Sequence, residues 1–244
     1  MKRGAFIFDG VPSEEIKTLI QTRPMLEAPT RKVESRSAFG VDGDIPFDEG
    51  AYNNTALELM MVIDGDDLIA DRQKFYDLID TRGKYKDFIP YFDPDKIYRV
   101  RTESTSFENQ YFFGEKQTAS VKLTVKPYKY LVDNGLILTP DPVTTVNNPT
   151  RYVSQPRWFL RATGDVTITV NGVPFILRDV PGNLVIDSER FLTYHVDAAV
   201  GTMTRMNNKV MTREYPILQP GTNNITVTGA ATGLDIEPRW RSLV

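Results

Sequence analysis

The run Val166-Thr-Ile-Thr-Val170, followed at once by Asn171-Gly172, constrains this chain more than any other stretch. Val166, Ile168 and Val170 alternate with Thr167 and Thr169, which puts the apolar side chains on one face of a strand. Asn-Gly suits a type I′ turn, because both central residues of that turn need positive φ. The pattern predicts a tight hairpin, with Phe175 to Leu177 on the returning strand. The same texture fills the second half of the chain. Leu184 to Ile186, Leu192 to Val196, Ile225 to Thr228 and Leu234 to Ile236 are short strand-like runs, and Pro181-Gly182 and Pro220-Gly221 punctuate them. Many short strands with prompt turns and no helical period predict a β-sandwich.

The first half is also strand-rich, with one exception. Ala5 to Phe8 before Asp9-Gly10 reads as a short strand and turn. Pro12-Ser13-Glu14-Glu15 fits either a single helical turn or an extended segment. Gly40-Val41-Asp42-Gly43-Asp44 is loop chemistry. Thr55 to Ile63 places Leu57, Leu59, Met61 and Ile63 on one strand face, and Met60 and Val62 make its other face partly apolar. After Asp64-Gly65-Asp66-Asp67 the period changes. Asp66 or Asp67 can cap a helix near 66–82, with Leu68, Phe75 and Ile79 on its stripe and Ile69, Tyr76 and Leu78 widening it. Arg82-Gly83 supplies the stop. Strands return at 88–92, 97–102 and 118–125. The expected class is thus mainly β with one clear helix. Proline, asparagine and threonine gather at 136–150, which reads as a linker between a domain at 1–135 and another at 151–244.

Composition narrows the function classes. The formal net charge is −3 and no long basic run occurs, so nucleic-acid binding by phosphate neutralisation is not expected. Cysteine is absent, which removes disulfides, thiolate zinc sites and cysteine nucleophiles. The apolar run at the N-terminus is too short for a signal peptide, and no stretch approaches the roughly 20 apolar residues of a membrane span.

The one constellation that resembles a catalytic centre is Ile186 to Ala198. It holds the single histidine, His195, with Asp187, Ser188, Glu189 and Asp197 nearby in sequence. As a strand, however, Leu192, Tyr194 and Val196 form the apolar face, and Thr193, His195 and Asp197 should point outward. Ser188 lies in what reads as an ordinary polar turn, without a nucleophile elbow. As a metal ligand His195 would have no second histidine or thiolate. Asp64, Asp66 and Asp67 begin like a calcium loop, but Leu68 occupies the fifth position, so helix capping is the better reading. Asp42 and Asp44 read as solvated loop residues. Tyr111-Phe112-Phe113 and Tyr128-Lys129-Tyr130 could be stacking platforms but read better as sheet or interface residues. Trp158 and Trp240 could stack on sugars, although Trp158 sits beside an apolar strand and suits a core. No catalytic residue, cofactor-binding residue or metal ligand is assigned, and no cofactor is expected.

The order of these features resembles the distal tail proteins (Dit) of long-tailed phages of Gram-positive bacteria. The resemblance runs from "FIFDGVPSEE" through "SRSAFGVDGDIPFDEGAYNN", the helix "DLIADRQKFYDLIDTRGKY" and "ASVKLTVKPYKY". It continues in "QPRWFLRATGDVTITVNGVPFIL", "GNLVIDSERFLTY", "YPILQPGTNNITVTG" and "IEPRW". Family members often carry an arginine in the segment that here reads Gly40-Val41-Asp42-Gly43, so that detail departs. The resemblance implies an N-terminal β-sandwich-like ring domain and a C-terminal galectin-like β-sandwich. It implies a structural, non-enzymatic virion protein, made in the bacterial cytoplasm. Such a protein forms a ring, usually a hexamer, between the tail tube protein and the tail-associated fibre or lysin, and can hold receptor-binding proteins. Neither nucleic acid nor membrane is an expected partner. Two other readings are a carbohydrate-binding module acting through Trp158 or Trp240, and a hydrolase using the acidic loops.

Overall fold

The computed structural model describes residues 1–108, 116–133, 135, 137–139, 143–197 and 201–244. They fall into two units, Met1–Val132 with Leu243–Val244, and Asp133–Ser242. The described residues are mainly β with one α-helix, as the periodicity predicts. Tyr111-Phe112-Phe113 lies outside the described residues.

The first unit is organised by strand alternation. Its elements are β1 (Phe6–Phe8), β2 (Val11–Pro12), β3 (Thr18–Ile20), β4 (Arg31–Arg36), β5 (Ile45–Tyr52), β6 (Thr55–Asp64), helix α1 (Leu68–Ile79), β7 (Lys86–Pro90), β8 (Lys96–Glu108) and β9 (Lys116–Leu131). The Pro12 to Glu15 segment is extended and then turned, not helical. Strands run in the order β2-β1-β7-β8-β9-β6-β3. β6 pairs antiparallel with β9 from Thr55 opposite Val125 to Asp64 opposite Lys116. Because side chains alternate, Leu57, Leu59, Met61 and Ile63 of β6 and Ala119, Val121, Leu123 and Val125 of β9 all point into one core. Phe6, Phe8, Phe88, Tyr98 and Val100 complete it from the sheet, and Phe75 and Ile79 reach it from α1.

The helix starts where its cap allows. Asp67 accepts a hydrogen bond from Ala70 N–H at 3.1 Å, satisfying one of the otherwise unpaired donors of the first turn. After the helix, Arg82 and Gly83 both take positive φ. The buried stripe is narrower than the sequence pattern suggests. Ile69 and Tyr76 are 86% and 48% exposed. At about 100° per residue they lie roughly 100–120° around the axis from Phe75, beyond the width that one sheet can cover. Asp71 fills the stripe instead, buried and paired with Lys74 at 3.0 Å. Gly65 makes room for it, since a Cβ there would come within 2.0 Å of the Asp71 carboxylate. Asp67→Ala is expected to cost about 1 kcal/mol and to speed amide exchange at Ala70, measurable by hydrogen exchange.

The second unit contains β10 (Ile137–Thr139), β11 (Val143–Asn148), β12 (Arg157–Val170), β13 (Val173–Val180), β14 (Leu184–Asp187), β15 (Leu192–Val196), β16 (Met203–Arg205), a 3₁₀ turn at Asn207–Lys209, and β17 (Gly221–Glu237). The short β18 (Arg241–Leu243) follows. The long strands β12 and β17 pair from Arg157 opposite Glu237 to Val170 opposite Ile225, with register shifts between Arg161 and Val166. Each of these strands has different neighbours at its two ends. β12 pairs β14 at Arg157–Leu160 and β13 at its far end. β17 takes β10 at one end and β11 at the other. Trp158, Leu160, Ile168, Phe175, Leu177, Ile186 and Ile236 are buried. The Asn171-Gly172 turn has φ of +51° and +84° between paired Val170 and Val173, the hairpin its sequence predicts. The 136–150 segment differs from the expected linker: β10 and β11 lie in it and both pair with β17. β-Branched Val143, Thr144, Thr145 and Val146 favour a strand once an edge is available, which overrides the turn-forming composition.

Candidate functional sites: a buried polar knot and an exposed hairpin

The structure turns the triad-like stretch into a structural knot. Asp187 ends β14 and Ser188 begins the turn to β15, and both are fully buried. The carboxylate of Asp187 receives two hydrogen bonds from Arg239, Nη1 to Oδ1 at 2.8 Å and Nη2 to Oδ2 at 3.1 Å. Arg157 Nε stands 3.7 Å from the same carboxylate, and Arg239 also approaches Glu189 and Glu237 at 3.4 and 3.8 Å. Burial acts to raise the Asp187 pKa. The Arg239 hydrogen bonds and charge, with Arg157 and the Arg190 N–H, outweigh it and hold the carboxyl below its ordinary range.

Ser188 is equally committed. Its hydroxyl donates to Pro216 O at 2.7 Å and accepts the Trp158 indole N–H at 3.1 Å. A serine with its proton given to a carbonyl is not poised as a nucleophile. His195 is engaged elsewhere, its Nδ1 lying 2.7 Å from Asn183 O, which makes Nδ1 the protonated nitrogen. The expected division of faces on β15 also fails. Thr193, read as outward, is fully buried, while Val196, read as inward, is 40% exposed. The cause is the segment after β16: Asn207 Oδ1 accepts the Thr193 N–H at 2.8 Å, and Tyr215 Oη lies 3.3 Å from the Thr193 hydroxyl. The Asp187 to Arg190 turn is a hairpin turn as read; Asp187 and Ser188 are buried in it, while Arg190 is exposed.

The other candidates disperse. Asp67 caps α1, and Asp64 pairs with Lys116 at 2.8 Å. Asp42 and Asp44 are exposed. Among the described residues no three His, Asp or Glu side chains gather to hold a metal ion. Trp158 and Trp240 are 0% and 7% exposed, so neither offers a ring to a sugar, and the Trp-based saccharide reading is withdrawn. Tyr130 is buried, Tyr128 packs edge-on against Tyr52, and Lys129 bonds Asp93 at 2.7 Å, so this triplet is no free platform either.

The feature that the sequence reading missed is a projecting hairpin. β4 and β5 form a two-stranded sheet of their own, with Arg36 opposite Ile45 and Glu34 opposite Phe47. Every residue of β4, and β5 as far as Gly50, is exposed. Val33, Phe39, Val41, Ile45 and Phe47 all present apolar surface, and Phe39 is fully exposed. Polar contacts hold the arm in shape. Arg31 pairs with Asp48 at 2.8 Å and lies over the Tyr52 ring, and Arg36 lies over Phe47. The Arg31 hydrogen bonds, then the Gly50 N–H, hold the Asp48 carboxyl below its ordinary range. A lone two-stranded ribbon is marginal in water, and exposed ion pairs add little to it. Its apolar surface therefore suits cover by another chain. The sequence signal was only the Gly40 to Asp44 turn, because "RKVESR" lacks an apolar face.

No family model matches the chain, and no curated protein matches it. Solved structures do. The Dit protein of phage SPP1, a hub of the adsorption apparatus of phages infecting Gram-positive bacteria, superposes with a TM-score of 0.68 at 15% identity, covering 98% of this chain and 99% of that one. The activated baseplate of phage P2 contains a chain that matches at 0.56 and 8% identity, over 97% and 98%. This chain has the Dit fold. The likeness spans both units of the Dit-like chain, including the parts with no individually specific motif.

Proposed function

We propose that the chain is a structural subunit of a phage tail tip, assembling into a ring through the β4–β5 arm. The observation that carries this reading is the exposed arm on a chain whose whole length follows the Dit fold. A ring needs a heterologous contact, one surface of a subunit meeting a different surface of the next, with a rotation that closes. An arm with apolar side chains and no core of its own supplies one half of such a contact. In this reading the first unit forms the ring, usually of six subunits. The ring joins the tail tube to the fibre or lysin protein, and the second unit faces the receptor-binding apparatus. The protein acts by geometry in the virion and not by catalysis; the committed hydroxyl of Ser188 and the dispersed acids support that.

Light scattering and negative-stain imaging of the purified chain test the proposal, alone and mixed with the neighbouring tail proteins. A ring is expected. Phe39→Ser with Phe47→Ser should return it to monomers while leaving the fold intact, since both rings are exposed. A wild-type chain that stays monomeric with every tail partner would sink the reading.

A further inference from the structure

The second unit has a cavity of about 440 Å³. Three aromatic rings line it in succession. Phe175 and Tyr215 are buried, with centroids 5.1 Å apart, and Phe191 meets Tyr215 edge-on at 5.6 Å. Phe191 is 56% exposed. It is also strained, at φ +52°, a region that bulky residues occupy only at a cost. Asn207 fastens it there, donating from Nδ2 to Phe191 O at 3.0 Å while its Oδ1 holds the Thr193 N–H. The fold therefore spends strain to keep a phenyl ring in solvent at the side of a cavity. Burying the ring would stabilise the unit, so its placement points to a ligand.

The polar groups at the cavity indicate which ligand. Arg213 and Glu214 are adjacent and exposed, and neither side chain has a hydrogen-bond or ion-pair partner among the described residues. Gln219 adds an exposed amide. A guanidinium that only donates, a carboxylate that only accepts and an amide that does both match a row of hydroxyls. An aromatic face matches the C–H face of a sugar ring. The volume lies in the range of small-molecule sites. An extended peptide fits less well. Met211 N–H already donates to Ile176 O beside the cavity, and Pro174 and Pro216 in its wall have no N–H to give.

We propose that this cavity binds a pyranose saccharide, with the apolar sugar face on Phe191 and its hydroxyls bonded by Arg213, Glu214 and Gln219. The inference does not depend on ring assembly, and light scattering on the same samples reports that separately. Saturation-transfer NMR on the full chain, with glucose, galactose, N-acetylglucosamine and rhamnose each at millimolar concentration, tests it. Transfer to the ring protons of at least one sugar is expected, with a Kd in the millimolar range usual for a single small site. Phe191→Asn, which keeps a residue tolerant of positive φ, and Glu214→Gln should each weaken it roughly tenfold or more. Tryptophan fluorescence shows whether each variant is folded, and Glu214→Gln, on the surface, serves if Phe191→Asn is not. The proposal is overturned if none of the four sugars shows transfer, or if transfer survives both substitutions. It is equally overturned if a hexaproline peptide shows transfer that Phe191→Asn abolishes while the sugars show none, which would make the cavity a peptide site.

Discussion

Arg239→Met is expected to destabilise the second unit by about 3–5 kcal/mol, because it leaves the Asp187 carboxylate buried without its partner. Both tryptophans, Trp158 and Trp240, belong to this unit, so urea unfolding followed by tryptophan fluorescence reads it directly. The loss should depend on pH in a defined direction. In the folded wild type the Asp187 carboxyl titrates below its ordinary value of 3.8. Between the folded and unfolded values the unfolded chain binds the extra proton, so the stability from this pair is complete above the unfolded value and is lost as pH falls through the folded one. In Arg239→Met the same carboxyl is buried without that counter-charge, and acid relieves it. The gap between wild type and variant should therefore narrow from pH 7 to about pH 4 and below. Asp187→Leu combined with Arg239→Met should recover a large part of the loss at neutral pH, since an apolar pair leaves no orphan charge. A single variant as stable as wild type at pH 7, or a gap that widens in acid, would show that the knot is not the keystone described.

Gly229→Ala should be nearly as damaging, at about 2–6 kcal/mol from left-handed strain together with overpacking. Gly229 has φ +98°, and a Cβ there would stand 2.2 Å from Asp165 O. Backbone on both sides cannot swing aside as a side-chain tip can. The site lies opposite Val166, where β12 and β17 resume register after their shift. Gly172→Ala is the matched control. It too has positive φ, +84°, but nothing within 4 Å of the added carbon. Its cost should be conformational alone, about 1 kcal/mol. Equal losses in the two variants, by the same fluorescence assay, would remove the close-approach argument.

What could be read from sequence was what depends on near neighbours along the chain. Alternation placed the buried face of β6, the Asn171-Gly172 turn closed the expected hairpin, and Asp67 capped the one helix. The resemblance, resting on the order of many weak signals, agreed with a whole-length structural match at 15% identity. The width of the helix stripe was misjudged, because exposure of Ile69 and Tyr76 depends on how much of the helix the sheet covers. The strands within 136–150 were missed because the partner they need, β17, begins at residue 221.

The supposed catalytic stretch shows the same division. Its sequence determined a strand, a polar turn and an isolated histidine. Only the tertiary structure decided that Asp187 would meet Arg239, 52 residues away, and that Ser188 would meet Trp158, 30 residues away. Sheet pairing brings such groups together, and once they are excluded from water each must find a partner within the protein. The opposite case is the β4–β5 arm. Its local pairing is complete, yet its apolar side chains lack cover within the chain, and in the proposed ring a neighbouring subunit would supply that cover.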